Sequence, residues 1–127
     1  MEPAKPRPRL LLVGGRPLLL KALERGLREE GFAIDVVESE RGAEKVLAFP
    51  YRAIILDVAL HEELASVRSW RGLGVRSRVI ALTPWPAPPG VQGVDEVFLK
   101  PFLFEALLDR LMTPGVTETC SCNGDFQ

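Results

Sequence analysis

The sequence predicts a single α/β domain built on a five-stranded parallel β-sheet with helices on both faces. Five short apolar segments alternate along the chain with segments in which apolar residues recur at helical spacing. Strands of parallel sheets are continuously apolar because helices cover both faces of the sheet. The 127 residues, 46% of them hydrophobic, are enough for one hydrophobic core and too few for two domains.

The first half of the chain contains three predicted strands and two predicted helices. In order, these are a strand at 9–13, a helix from Pro17 to a stop at Gly31, a strand at 32–37, a helix at 39–49 and a strand at 51–57. Pro17 suits the first turn of a helix, where its missing N–H does no harm. Pro50 ends the second helix because proline cannot continue a helical ladder.

The second half continues the alternation. It contains a helix at 62–71, a strand at 78–82 followed by Thr83, a strand at 94–99, and a helix through Leu103, Leu107 and Leu111. These elements place the domain at residues 9–112. Residues 1–8 are expected to form a flexible proline-rich arm, and residues 113–127 a disordered tail.

Composition excludes several classes of function. Sixteen basic and seventeen acidic residues leave a net charge of −1, which gives the whole surface no general attraction for nucleic acid or an acidic membrane. The apolar runs are far shorter than the roughly 20 residues that span a bilayer. The two cysteines, Cys120 and Cys122, provide no disulfide framework. We therefore expect a cytoplasmic protein that is not attached to membranes.

Chemistry-bearing residues follow four of the five predicted strands. Gly14 and Gly15 follow the first strand, Asp57 ends the third, Thr83 follows the fourth, and Lys100 follows the fifth. The carboxyl ends of parallel strands lie at one edge of the sheet, where such folds place their sites. A carboxylate can accept a phosphoryl group when a cation neutralises the attacking oxygens, and a hydroxyl can donate to a phosphoryl oxygen.

This order of residues resembles the receiver domain of two-component response regulators, the CheY-like member of the flavodoxin-like folds. The resemblance covers residues 9–112. It implies that Asp57, in Ala-Ile-Ile-Leu-Asp, is the phosphoacceptor, and that Thr83 contacts the phosphoryl group and switches conformation. It also implies that Lys100, in Phe-Leu-Lys-Pro-Phe, pairs with the aspartate or the phosphoryl group.

The sequence departs from this family directly after the first strand. Receivers carry a pair of acidic residues there that hold Mg²⁺, whereas this chain has Gly14 and Gly15, followed by Arg16. Mg²⁺ requires carboxylate oxygens and dehydrates reluctantly. We therefore expect Mg²⁺ binding to be lost and no other metal or cofactor to be bound. Two alternatives remain, an active receiver phosphorylated on Asp57 by a histidine kinase and a small-anion or nucleotide site at residues 14–17.

The second departure lies between Thr83 and Lys100, where receivers place their fourth helix. Residues 84–93, Pro-Trp-Pro-Ala-Pro-Pro-Gly-Val-Gln-Gly, contain four prolines and two glycines, so we expect that helix to be shortened or replaced by a loop. The aromatic switch position of the family, three residues before the lysine, is Val97. Trp85 in this loop is either a contact surface for a partner or an inward-facing ring that fills the space of the missing helix.

Four arginines fall in a stretch without acidic residues, at positions 68, 71, 76 and 78. A solvated helix edge is the preferred interpretation, with a basic docking patch as the alternative. Taken together, the sequence predicts an atypical receiver that acts as a signalling interaction module and is not an enzyme. Its expected partner is a histidine kinase or an output protein, and a homodimer with an unusual interface is a further possibility.

Overall fold

A computed structural model describes residues 7–38, 49–88 and 90–112. The elements within these residues are β1 (Arg9–Val13), α1 (Pro17–Glu29), β2 (Ala33–Val37), β3 (Ala53–Asp57), α2 (His61–Gly72), β4 (Arg78–Thr83), a 3₁₀ turn (Val91–Gly93), β5 (Glu96–Leu99) and α3 (Phe104–Met112). The helix predicted at 39–49 falls, apart from Phe49, outside the described residues, as do residues 1–6 of the arm and the whole tail.

The five strands form one parallel sheet in the order β2-β1-β3-β4-β5, which confirms the predicted fold class. The order reverses direction at β1, since the chain moves outward to β2 and then back across the sheet through β3. All strands point the same way, so Val13, Asp57, Thr83 and Leu99 end at one edge. Parallel sheets of this kind hold their sites at that carboxyl edge.

The sheet separates two hydrophobic clusters. On one face, leucines of α1 and α3 pack on β-strand residues such as Leu10, Leu12 and Ile55. On the other face, Val67 and Trp70 of α2 pack on alternate strand residues. Every residue of β3 is buried because this strand is covered on both faces. A site at the end of β3 therefore lies on a strand that both layers of helices cover.

No α-helix occurs between β4 and β5 in the described part of that segment, residues 84–88 and 90–93. Its only helical residues are the 3₁₀ turn Val91–Gly93, which agrees with the predicted loss of the fourth helix. β5 also begins two residues later than predicted. Gly93 adopts a φ of +88°, and Val94 continues the turn by donating its amide to Val91, so strand pairing starts only at Glu96.

Arg71, at the end of α2, fixes this helix-free segment. Its guanidinium donates to the carbonyl of Gly93 at 3.0 Å and to the carboxylate of Asp95 at 2.8 Å. It also donates to the carbonyls of Val75 and Ser77 at 3.0 and 2.8 Å. The interpretation of this arginine stretch as a solvated edge is therefore wrong for Arg71, which forms a structural network. No local pattern predicts this network, because the acceptors include residues 22 and 24 positions away along the chain.

Three side chains are linked on the face of the sheet that carries α2. The Arg9 guanidinium and the Tyr51 hydroxyl both donate to the Asp35 carboxylate, at 2.9 and 2.8 Å. Burial, together with the hydrogen bond to Asp35, raises the pKa of Tyr51 to about 12.

No helix within the described ranges has the length and apolarity to cross a membrane.

Candidate functional site

The candidate site lies at the carboxyl edge of the sheet, where β3 and β5 end on either side of β4. Asp57 is the last residue of β3, and only 1% of its side chain is exposed. Lys100 follows β5, and its amide donates to the carbonyl of Thr83 at 2.7 Å, which extends the strand pairing to the lysine. The Lys100–Pro101 peptide bond is cis. Strand pairing thus brings the predicted carboxylate and lysine to one place.

Asp57 and Lys100 form a closed ion pair. The Lys100 ammonium donates to Asp57 Oδ1 at 2.6 Å and to the carbonyl oxygen of Val58 at 3.0 Å. The second carboxylate oxygen, Oδ2, is buried and accepts no hydrogen bond from the described part of the protein. The pair has no net charge, and one carboxylate oxygen remains for any other donor.

Gly14 explains why Asp57 is so deeply covered. Its amide donates to the carbonyl of Val37 at 3.0 Å, and a Cβ at this position would lie 2.9 Å from the Cβ of Asp57. Side-chain atoms essentially never come that close, so glycine allows the turn after β1 to close directly over the aspartate. The sequence did not indicate this packing, since a contact between positions 14 and 57 leaves no local pattern.

Gly15 has a different environment. It is exposed, and the nearest atom to a Cβ built there is the carbonyl oxygen of Glu38 at 3.7 Å, an ordinary contact. The two glycines at the family's acidic positions are therefore not equivalent. A side chain fits at position 15 and does not fit at position 14 without movement of Asp57.

Thr83 lies at the same edge, but its hydroxyl is engaged elsewhere. The residue is fully buried, and Oγ1 donates to the carbonyl oxygen of Trp85 at 2.6 Å. This bond connects the end of β4 to the proline-containing segment that follows. The structure thus brings Asp57 and Lys100 into direct contact, while the third predicted residue holds the loop.

Trp85 is half-buried and packs against the hydrophobic cluster on the α2 side of the sheet, as do Val91 and Val97. The ring therefore covers part of the surface that the missing helix leaves. Its neighbours Pro84 and Pro86 are exposed. The segment accordingly combines an anchored ring with an exposed, stiff backbone.

The side chains at this edge offer a sparse donor set for a cation. Within residues 7–38, 49–88 and 90–112, no three His, Cys, Asp or Glu side chains come together in a group that could hold a metal ion. Asp57 supplies one oxygen that Lys100 does not occupy. The glycines after β1 supply no side-chain oxygen.

Known proteins resemble this chain in sequence and in fold. No family model matches it. The transcriptional regulatory protein QseB of Escherichia coli O157:H7 is 32% identical over 111 residues, which cover 81% of this chain and 51% of QseB. The chain thus spans about half the length of this curated relative.

Two solved structures above 25% identity share the fold. The orphan response regulator HP1043 of H. pylori is 26% identical with a TM-score of 0.70, and the match covers 84% of this chain and 96% of that one. The response regulator TrrA of Thermotoga maritima, solved in complex with Mg²⁺ and BeF, is 27% identical with a TM-score of 0.70, covering 81% and 95%. Sequence identity of this level on a shared fold identifies the chain as a response regulator receiver domain.

Proposed function

We propose that this chain is an atypical receiver, a signalling module that binds other proteins without magnesium-dependent phosphorylation of its aspartate. The observation that carries the proposal is the closed state of Asp57. Its side chain is 1% exposed, paired with Lys100 and covered by a turn that contains glycine where receivers carry acids.

The donor set supports the proposal because it does not suit Mg²⁺. This ion requires octahedral oxygen coordination, dehydrates reluctantly and is usually held by one or two carboxylates together with phosphate oxygens. Asp57 offers one unoccupied oxygen, and the charge of the carboxylate is already neutralised by Lys100. A site without net charge gives a divalent cation little electrostatic reason to bind. We therefore propose that the chain has no magnesium cofactor.

Access to Asp57 supports the same conclusion. A phosphoryl donor has to reach a carboxylate oxygen in line with its leaving group. Oδ1 accepts from Lys100, and Oδ2 has no exposed surface. The turn at Gly14 packs on the aspartate, and the Asp57 side chain is 1% exposed, so we infer that a phosphoryl donor reaches the carboxylate only after local movement. Lys100 would then supply a single positive charge to the transferred group.

A binding role needs a contact surface. The helix-free segment after β4, which begins with Pro84 and Trp85, supplies one. It replaces a helix with a stiff, partly exposed backbone, and such segments lose little entropy on binding. Its anchor is the hydrogen bond from Thr83 to the carbonyl of Trp85. We propose that this segment contacts the protein partner, either an output protein or a histidine kinase.

The test is incubation with acetyl phosphate and Mg²⁺, followed by measurement of the intact mass. We expect no phosphorylated species, under conditions in which a magnesium-binding receiver used as a positive control is modified. Asp57→Asn serves as the matched variant. A mass increase of one phosphoryl group in the native chain that Asp57→Asn abolishes would contradict the proposal.

One observation favours a second function, phosphorylation of Asp57 as in an active receiver. The Asp57–Lys100 pair is intact, and Thr83 lies at the neighbouring strand end. The same mass measurement decides between the two functions. Titration with MgCl₂ followed by tryptophan fluorescence adds an independent result, since saturable binding below millimolar concentration supports the second function.

A further inference from the structure

A groove opens at the amino edge of the sheet, at the opposite end of the strands from the candidate site. It has a volume of about 680 Å³ and lies where the chain enters β1, β2 and β3. Three arginines line it, Arg7, Arg9 and Arg52, together with Phe49, two prolines and an alanine. None of the described residues that line it is acidic, and Glu30, between α1 and β2, is not among them. The groove thus combines positive charge with apolar surface.

Backbone hydrogen bonds hold the three segments of the groove together. The amide of Ala33 donates to the carbonyl of Pro8 at 2.9 Å, and the amide of Arg52 donates to the carbonyl of Arg9 at 2.8 Å. The side chain of Arg52 is fixed in addition, because its Nε donates to the carbonyl of Leu111 at 3.1 Å. These bonds set the shape of the groove before a ligand arrives, which reduces the entropy lost on binding.

The positive charge of the groove is neutralised only in part by the described residues. The Asp35 carboxylate accepts from Arg9 at 2.9 Å with one oxygen and from the Tyr51 hydroxyl at 2.8 Å with the other. In the described part of the protein, Arg7 forms no ion pair, and the hydrogen bond of the Arg52 side chain goes to a neutral carbonyl. Both arginines are exposed. Two guanidinium groups therefore keep their charge and most of their five donors for a ligand.

Phe49 gives the groove an exposed aromatic surface. The residue is 48% exposed, and the Arg9 guanidinium lies over its ring at 5.5 Å from the centroid. The tilted ring of Tyr51 packs beside it, with centroids 5.1 Å apart. A guanidinium over the ring blocks the stacking of a nucleobase, on which the binding of single-stranded nucleic acid depends. Arginine and aromatic side chains are also enriched at contacts between proteins.

We propose that this groove binds an acidic segment of a partner protein. Carboxylates of that segment pair with the guanidinium groups of Arg7 and Arg52, whose planar forks match carboxylate geometry. An apolar side chain of the same segment packs on Phe49. Such a segment uses both properties of the groove, whereas a small anion uses only its charge. The proposal does not depend on phosphorylation of Asp57 or on contact through the helix-free segment, because the groove lies at the other edge of the sheet.

An NMR titration of the full chain with a capped hexapeptide of four glutamates and two central leucines tests the proposal. We expect saturable shifts of the amides of Arg9, Ala33 and Phe49, with a dissociation constant below about 1 mM at low ionic strength. The same peptide with glutamines in place of the glutamates should not bind. Sodium chloride at about 1 M should abolish binding of the acidic peptide, because it screens exposed charges beyond about 3 Å.

Charge reversal locates the site. Arg7→Glu should raise the dissociation constant at least about threefold, and the double variant with Arg52→Glu at least about tenfold. Arg25→Glu is the matched control, since it changes the net charge as much as Arg7→Glu does, and Arg25 is an exposed residue of α1 outside the groove lining. It should leave the dissociation constant unchanged. Phe49→Ala should weaken binding of the peptide. Circular dichroism confirms that each variant is folded, and Arg7→Glu alone suffices if the double variant is not.

Five outcomes would overturn the proposal. The first is no shift of the groove amides at about 10 mM peptide. The second is equal weakening by Arg7→Glu and Arg25→Glu, which means general attraction of charge. In the third, inorganic phosphate or an oligothymidylate of equal charge binds the same amides at least as tightly as the peptide. In the fourth, the amides shift with protein concentration alone, which assigns the groove to a second copy. In the fifth, the peptide binds only after Glu118→Gln and Asp125→Asn, which assigns the groove to the chain's own terminal segment.

Discussion

Replacement of Lys100 by methionine tests the closed ion pair most directly. Methionine keeps most of the length and volume of the side chain and removes the ammonium group. Asp57 Oδ1 then loses its donor, and Oδ2 has none from the described part of the protein, while the side chain stays 1% exposed. A buried carboxylate is left without a counter-charge.

The size of the effect follows from the burial of the two partners. Removal of one member of a buried pair costs about 3–5 kcal/mol, and because Lys100 is 16% exposed we expect about 3 kcal/mol. Asp57→Asn should cost less, about 1–2 kcal/mol, since the ammonium keeps its bond to the Val58 carbonyl and some contact with water. The double variant should be less destabilised than the sum of the single variants by at least about 1 kcal/mol.

Urea unfolding of the four proteins in this cycle measures these free energies. Lys21→Met is the control, because Lys21 is exposed on α1 and should change stability by less than about 0.5 kcal/mol. If Lys100→Met falls within the same range as Lys21→Met, the pair is screened by solvent. The argument that Asp57 is held closed would then be refuted.

Three further predictions concern the neighbourhood of the site and the core. Gly14→Ala should destabilise the fold by about 1–3 kcal/mol in urea unfolding, because its Cβ would lie 2.9 Å from that of Asp57. The control Gly15→Ala should cost less than about 0.5 kcal/mol, and equal costs for the two variants would disprove the close packing at Gly14. Trp85→Ala should lower the free energy of unfolding by about 1–3 kcal/mol, because the ring is half-buried. A loss of about 3–5 kcal/mol is typical of a ring in the core and would contradict a role of Trp85 as a partner contact. Tyr51 is the only tyrosine, so its phenolate absorbance should titrate near pH 12, because burial and a hydrogen bond to a carboxylate raise its pKa to about 12. The raised pKa stabilises the folded state fully below pH 10, and this stabilisation is lost as pH rises toward 12. Tyr51→Phe should remove that part of the pH dependence of stability. Titration of the phenol near pH 10 would contradict the raised pKa.

The parts of the fold that local patterns control were predictable from the sequence. β1 was predicted with its observed bounds, since an apolar run between proline and glycine residues fixes both ends of a strand. The end of β3 at Asp57 followed from the same type of pattern. Once a parallel sheet was inferred, the placement of Asp57 and Lys100 at one edge followed from the convergence of strand ends, and the resemblance to receivers implied that they pair.

The parts that depend on contacts between distant residues were not predictable. The direction of the Thr83 hydroxyl depends on where the carbonyl of Trp85 lies, which is a matter of loop conformation. The proximity of Gly14 to Asp57 depends on how closely the β1 turn packs. Neither contact leaves a repeat or a spacing in the sequence, so the residue types were visible while their geometry was not.

The attachment of the helix-free segment through Arg71 has a consequence for its dynamics. An α-helix frays residue by residue from its ends, but here the carbonyl of Gly93 and the carboxylate of Asp95 are both held by one guanidinium. The Asp95 carboxylate in turn accepts the backbone amide of Val79 in β4. When the Arg71 side chain releases, its bonds to Gly93 and Asp95 are lost together. We therefore expect the segment to open as a single cooperative unit. The amide of Val79 should then exchange its hydrogen at the rate at which the segment opens, although Val79 is fully buried in β4.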